Sequence, residues 1–274
     1  MPSSAGATIS LDLPDLLVAT LLVIAAGLVS LLLKLRIERR LGVAALRTTV
    51  QLLLVGYVLR WVFEIHSLLV LAPVLAFMFA AATHTAVRRP AHTFRGMSWQ
   101  AFVTLVGSGL LTTIVATTLI VGVDPWYEPR YLIPLLGMVV GNSMTGIALC
   151  LDHLLESLTE RRQEVELELA LGATRWEAAR GPIAAAVRRG MIPLINGMMV
   201  IGIVSLPGMM TGQILAGADP FEAVKYQIMI MFMLAAAVSI GSMSVALLAY
   251  RRLFTPRHQI RSAAIERRGR DARS

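Results

Sequence analysis

Two apolar stretches of the chain carry side chains that hydrocarbon does not tolerate alone. Residues 137–151 hold Asn142, Ser143, Met144 and Thr145, and residues 191–215 hold Asn196, Ser205, Pro207, Thr211 and Gln213, all among glycines, methionines and aliphatics. Side-chain oxygens, and carbonyls freed where Pro193 and Pro207 interrupt a helix, are ligands for a passing solute, with Pro207-Gly208 the expected break. The same residue types also serve packing. Gly137-x3-Gly141 and Gly208-x3-Gly212 would let helices approach closely, with Asn or Thr bonding across the contact. Path and packing both stand open at this point.

Eleven of the 14 methionines lie at or after Met138. Their thioethers are soft ligands, and they are equally the side chains that fill irregular gaps. No Asp or Glu falls deep in an apolar stretch, and His84 stands near the end of one, so a fixed high-affinity metal site is not expected and no metal ligand is assigned.

Between the two arms the character of the chain reverses. From Leu151 the apolar positions run 151, 154, 155, 158, 165 and 169, a helical spacing that leaves Asp152, Glu156, Glu160 and Glu164 on other faces. This predicts an amphipathic helix continuing out of the first arm. Gly172 ends it, and Thr174-Arg175-Trp176-Glu177 has the form of a capping box that starts a second short helix. Gly181-Pro182 and Gly190 are expected to punctuate the return to the second arm. The stretch is either an interfacial helix on lipid or a plug that another protein grips. Its acidic content, six carboxylates against Arg161 and Arg162 over 152–168, weighs against a lipid-bound helix, which is normally basic.

Positioning these elements is the task of a membrane-spanning bundle. With 56% hydrophobic and 15% charged residues and a mean hydropathy of +0.70, the 274-residue chain is all-α and polytopic. About seven spans are expected, near 13–33, 44–63, 67–87, 99–122, 131–151, 191–215 and 224–249, within one domain over 1–274. The first of them is too long for a signal-peptide core and is expected to be retained. Single Cys150 excludes an intramolecular disulfide framework. The net charge of +8 does not indicate nucleic acid, because the basic residues lie between apolar runs.

Alternate connections hold 22 of the 25 lysines and arginines. That asymmetry predicts an outward N-terminus and a cytoplasmic C-terminus, with the acidic loop of about 152–190 also cytoplasmic. Arg47 and Arg60 are expected near opposite ends of the second span, where they snorkel; alternatively Arg47, with Thr48 and Gln51, contacts the inner mouth of a pathway. Trp126 and Tyr127 in DPWYEPR suit a membrane boundary. GADP at 217–220 suits a turn, and the basic tail of about 251–274 is expected to be poorly ordered beside anionic lipid heads.

Glu166, followed by Gly172 inside ELALGAT and ending at Ile192-Pro193, resembles the EAA loop by which bacterial ABC-transporter permeases dock their ATPase. Leu167 and Glu168 stand in the places of that motif's two alanines. RTTVQLLLVGYVL at 47–59, GMVVGNSMTGIAL at 137–149 and SLPGMMTGQILAGADPFEAVKYQIMIMFML at 205–234 extend the likeness to the FetB-type iron-export permeases, whose plant relatives include aluminium-sensitivity proteins. The resemblance implies a multi-pass permease of the bacterial inner membrane, a homodimer with separate ATPase subunits. It places Glu166, Glu168, Gly172, Ala173 and Thr174 against the ATPase, leaves ATP and Mg on that partner, and assigns no bound cofactor to this chain.

Three functions from different classes are consistent with the residues: an ATP-driven transporter subunit, an ion-coupled carrier and a membrane protein without transport activity. No G-x4-G-K-[ST] phosphate loop occurs, as a permease with a separate ATPase requires. A proton-coupled carrier ordinarily needs an ionisable residue inside a span, and a scaffold needs no interrupted polar arms. The ABC permease is therefore favoured, exporting iron or a related metal by resemblance, with another solute such as a nucleotide sugar as the alternative.

Overall fold

The computed structural model describes residues 13–65 and 67–267; the segment before Leu13 and the last part of the basic tail lie outside them. Seven helices are long and apolar enough to cross a membrane. In chain order they are α1 (Leu13–Leu32), α2 (Glu38–Glu64), α3 (Leu68–Arg88), α4 (Met97–Val115), α5 (Pro129–Glu160), α7 (Arg175–Val200) and α9 (Pro220–Leu253). Two short helices, α6 (Arg162–Ala170) and α8 (Gly208–Leu215), join the longer ones, and α4 runs on into a π-helical segment, Ala116–Val121. Two-residue strands β1 (His92–Thr93) and β2 (Glu266–Arg267) pair antiparallel.

Local chemistry sets the boundaries. Pro129 opens α5 and Pro220 opens α9, where the missing N–H costs nothing. Asp219 Oδ1 caps α9 by accepting from the N–H groups of Phe221 and Glu222.

The core lies among α3, α4, α5, α7 and α9. Its tightest point is a crossing of three helices. Gly146 of α5 faces Gly190 of α7 so closely that a Cβ on Gly190 would meet the Gly146 carbonyl oxygen at 2.6 Å and the Ser242 Oγ of α9 at 3.0 Å. The Cys150 thiol, one turn along α5, points at the Ser242 carbonyl 3.5 Å away. Down α4 and its π-helical continuation, Ser108, Thr112 and Thr117 bury their hydroxyls by donating to carbonyls one turn back, at 2.8, 2.8 and 3.0 Å.

The α1–α2 hairpin stands apart. Ser30 ties it together by donating to Glu38 Oε2 at 2.8 Å and accepting the Ile37 N–H at 3.2 Å. Only the far end of α2 reaches the body, where Val62 is buried with Leu71, Leu132 and Ile133.

Three expectations are corrected. The sixth span is Arg175–Val200, displaced from 191–215, because Gly181, Pro182, Gly190 and Pro193 interrupt nothing: α7 runs through all four. Pro182 is buried, and Gly190 serves the helix crossing, so neither marks a turn. Second, the loop of about 152–190 is therefore one free short helix, α6, between the extension of α5 and the first turns of α7. Third, the tail is ordered through Arg267, with Phe254 buried and Ile260, Ala264 and Ile265 packed against the core.

The break within the second arm does lie where expected. The chain leaves helix after Val200, passes Gly202 at φ +82°, and resumes helix at Gly208 with Pro207 before it.

Gly190→Val is expected to destabilise the protein by roughly 2 kcal/mol or more, as overpacking against backbone does. Gly141→Ala, where an added Cβ meets no atom within 4 Å, leaves stability unchanged or slightly raised. Thermal melts in detergent read both.

Candidate functional site

At the arginine-rich end of the bundle the chain reverses between α6 and α7 in a turn closed from both sides. Gly172, at φ +97°, takes a conformation costly for any residue with a Cβ. Around it the Ala173 N–H donates to the Glu168 carbonyl at 3.0 Å and the Gly172 N–H to the Leu169 carbonyl at 3.2 Å, the paired bonds of a Schellman motif. The next residue, Thr174, begins the capping box. Its Oγ1 accepts the Glu177 N–H at 3.3 Å, and Glu177 Oε2 accepts the Thr174 N–H at 2.7 Å. A single residue, Ala173, separates the two caps.

The turn presents apolar surface outward. Leu171 is 80% exposed, Leu167 60% and Trp176 44%, although each sits outside the apolar core of the spans. Glu166 pairs with Arg162 at 2.7 Å and Glu164 with Arg161 at 2.6 Å, both on the surface. Glu168 and Thr174 are exposed and Ala173 is half-buried. Underneath, Val165 is buried and Leu169 packs on the core, fixing the face that α6 turns outward.

Two neighbouring segments brace this handle. The C-terminal strap, residues 254–267, brings His258 Nδ1 to accept the Arg175 N–H at 2.8 Å. Arg175 also lies over the Tyr250 ring, which meets Trp176 edge-on with centroids 5.7 Å apart. The strap then pairs Glu266 and Arg267 with Thr93 and His92, while Asp152 Oδ1 accepts the Ala91 N–H at 2.9 Å. Handle, strap and the α3–α4 connection thus form one platform. Sequence spacing gave no sign of His258, which acts across 83 residues. The exposed leucines could have been found, since 167 and 171 fall off the apolar face that runs through 165 and 169.

The polar arm residues separate. Asn142 and Asn196 are exposed, Asn142 Nδ2 donating to the Met138 carbonyl at 2.9 Å. From the Gly146–Gly190 contact, Asn142 is four residues along α5 and Asn196 six along antiparallel α7, both away from the arginine-rich end, about 6 and 9 Å. Ser143, by contrast, is fully buried with no hydroxyl partner among the described residues, and Met144 packs against the core. Thr145 accepts from Arg89 at 3.4 Å.

On α8, which packs chiefly on α9, Thr211 donates to the Pro207 carbonyl at 3.1 Å and Gln213 buries an Oε1 that has no partner among the described residues. Arg47 and Gln51 are exposed on α2, Arg47 about 13 Å from its first residue. The candidate path residues differ in exposure: Asn142 and Asn196 are exposed, Ser143 is buried, and Met144, Thr211 and Gln213 are half-buried. Among the described residues a Cβ at Gly141, Gly208 or Gly212 would meet nothing within 4 Å, and one at Gly137 would meet only the Met78 side chain of α3 at 3.6 Å, so neither Gly-x3-Gly pair marks a backbone crossing.

Methionines of the second half, including Met138, Met191, Met198, Met209 and Met229, pack around Leu135, Val139, Leu194 and Ile230. Among the described residues no three His, Cys, Asp or Glu side chains cluster as a metal site.

A family model described as "Uncharacterised protein family (UPF0014)" matches residues 13–254. The chain belongs to the UPF0014 family. A UPF0014 membrane protein of Synechocystis is 37% identical over 78% of this chain and 83% of its own. The Escherichia coli protein named "Probable iron export permease protein FetB" is 32% identical over 90% of this chain and 93% of its own. "Protein ALUMINUM SENSITIVE 3" of Arabidopsis thaliana is 31% identical over 89% and 88%. The UPF0014 membership and the likeness to both named relatives agree with the resemblance drawn from the motif blocks. No solved structure matches the chain.

Gly172→Ala places an alanine in the left-handed region at a cost of about 1 kcal/mol, and His258→Ala removes the acceptor of the Arg175 N–H. Both are expected to speed amide hydrogen exchange across 167–177 while leaving the α5 interior protected. Unchanged exchange in His258→Ala would show that the handle does not depend on the strap.

Proposed function

We propose that the chain is the permease subunit of an ATP-driven ABC transporter exporting iron or a related metal. It works as a homodimer with two separate ATPase chains in the inner membrane of a bacterial cell. ATP and Mg belong to those ATPases, and iron is cargo. The observation that carries this reading is the double-capped turn at Gly172. It projects Leu167 and Leu171 beyond the spans on a braced base, as a grip for another protein requires. The relative named as a probable iron export permease supports the substrate.

The charge asymmetry supports an outward N-terminus, with handle and strap in the cytoplasm. Movement of the ATPases displaces the handle, and α5 and α7 carry that displacement into the membrane. Asn142 and Asn196, exposed at similar depth in spans, present amide oxygens that hydrocarbon would leave unsatisfied. A second protomer enclosing a wet path satisfies them. Oxygen contacts of this kind suit a cation that must also leave.

Glu166→Lys and Gly172→Pro are each expected to insert normally yet lose ATPase binding and transport by about tenfold or more, roughly the effect of 1.4 kcal/mol. Pull-down with the cognate ATPase and proteoliposome flux measure this; unchanged binding together with unchanged flux rejects the docking role. Asn142→Leu and Asn196→Leu should reduce flux with the dimer intact. Lost dimerisation with normal flux through the residual dimers would make them packing residues. Flux of a nucleotide sugar without iron flux would replace the substrate and keep the permease.

A further inference from the structure

The outward surface between α4 and α9 is creased along much of its length. Toward the arginine-rich end lies a cavity of about 510 Å³ with Thr104, Gly107, Ser244 and Arg251 in its walls. A second, of about 610 Å³, continues toward Lys225, and Leu111 and Ile240 line both. Eleven residues separate Ile240 from Arg251, about 16 Å of helix and close to half of a roughly 30 Å hydrocarbon layer. The first cavity therefore has the depth of one leaflet.

A cation stands at each end of the crease, and the two are not equivalent. Lys225 Nζ is 2.6 Å from Glu222 Oε1 and lies over the Phe221 ring. Arg251 is exposed and makes no ion pair among the described residues, and no carboxylate lines the cavity beside it. In the same wall the Thr104 hydroxyl is buried, with no hydrogen-bond partner among the described residues. Gly107 keeps the floor clear, since a Cβ there would meet nothing within 4 Å. At the same end Trp99 is largely exposed and stacks on Phe102, the placement of an aromatic ring at headgroup level.

We propose that this half of the crease binds one anionic phospholipid. The lipid phosphate pairs with the Arg251 guanidinium, whose planar donors suit phosphate oxygens. One acyl chain passes Gly107 to Leu111 and Ile240. The site demands an occupant apolar over a leaflet's depth and negative at one end. A soluble anion lacks the first property and a zwitterionic lipid satisfies the second poorly.

The test uses the full chain in detergent, supplied with equal amounts of phosphatidylglycerol and phosphatidylcholine of matched acyl chains, with retained lipid read by native mass spectrometry. The unaltered protein is expected to retain phosphatidylglycerol about fivefold over phosphatidylcholine, the discrimination of one arginine at a membrane surface. Arg251→Gln brings that ratio near one, and Lys225→Gln leaves it in place. Gly107→Leu, which fills open space, lowers retention of both lipids without changing the melting temperature. Equal retention of the two lipids by the unaltered protein, or a preference surviving in Arg251→Gln, overturns the proposal. Displacement by glycerol 3-phosphate would make the site one for bare phosphate, and an altered oligomeric state in Gly107→Leu would make the crease an interface between copies; either result also overturns it.

Discussion

The structure depends on the contact of Gly146 with Gly190 under Ser242. Helices in hydrocarbon gain nothing from hiding apolar side chains from lipid tails that are equally apolar, so their association rests on close dispersion contact and on polar groups meeting across it. Two facing glycines bring the backbones of α5 and α7 together, and Ser242 brings α9 to the same point. The α4 helix, with the Ser108 and Thr112 hydroxyls turned back on its own carbonyls, then closes on α9. The handle and the strap at the arginine-rich end are carried by α5, α7 and α9.

That end is built by a different economy of contacts. Water is available there, so side chains bond to backbone ends, and the segments are held by caps, a two-residue strand pair and aromatic edges. The platform draws on three distant parts of the chain. The α1–α2 hairpin stands apart from it and leaves most of its apolar side chains uncovered.

The number of spans and the place of six of them, the Gly172 reversal, the Thr174 box and the break before Gly208 were legible in the sequence because each rests on neighbours within a turn or two. Gly181-Pro182 and Gly190 were misleading. Proline in the body of a helix and glycine at a crossing have the same local signature as punctuation, and only atoms on α5 and α9 reveal the difference. Asn142 and Ser143 were read together as one polar cluster, yet adjacent helical residues point about 100° apart, so one is exposed and the other buried. The strap was hidden for a simpler reason. Its basic composition resembles a solvated tail, whereas its order comes from Phe254, Ile260 and Ile265 finding the core and from strand pairing with residues far earlier in the chain.

The continuity of α7 through two prolines turns it into a lever. Its fulcrum is Gly190, about 22 Å from Arg175 and about 15 Å from Val200. Because one residue separates the caps at Gly172 and Thr174, little slack exists at the loaded end. In the proposed coupling, a push on the handle would reach the far end of the rod reversed in direction and reduced by about a third, by the ratio of these arms. The non-helical residues 201–207 lie just beyond that tip.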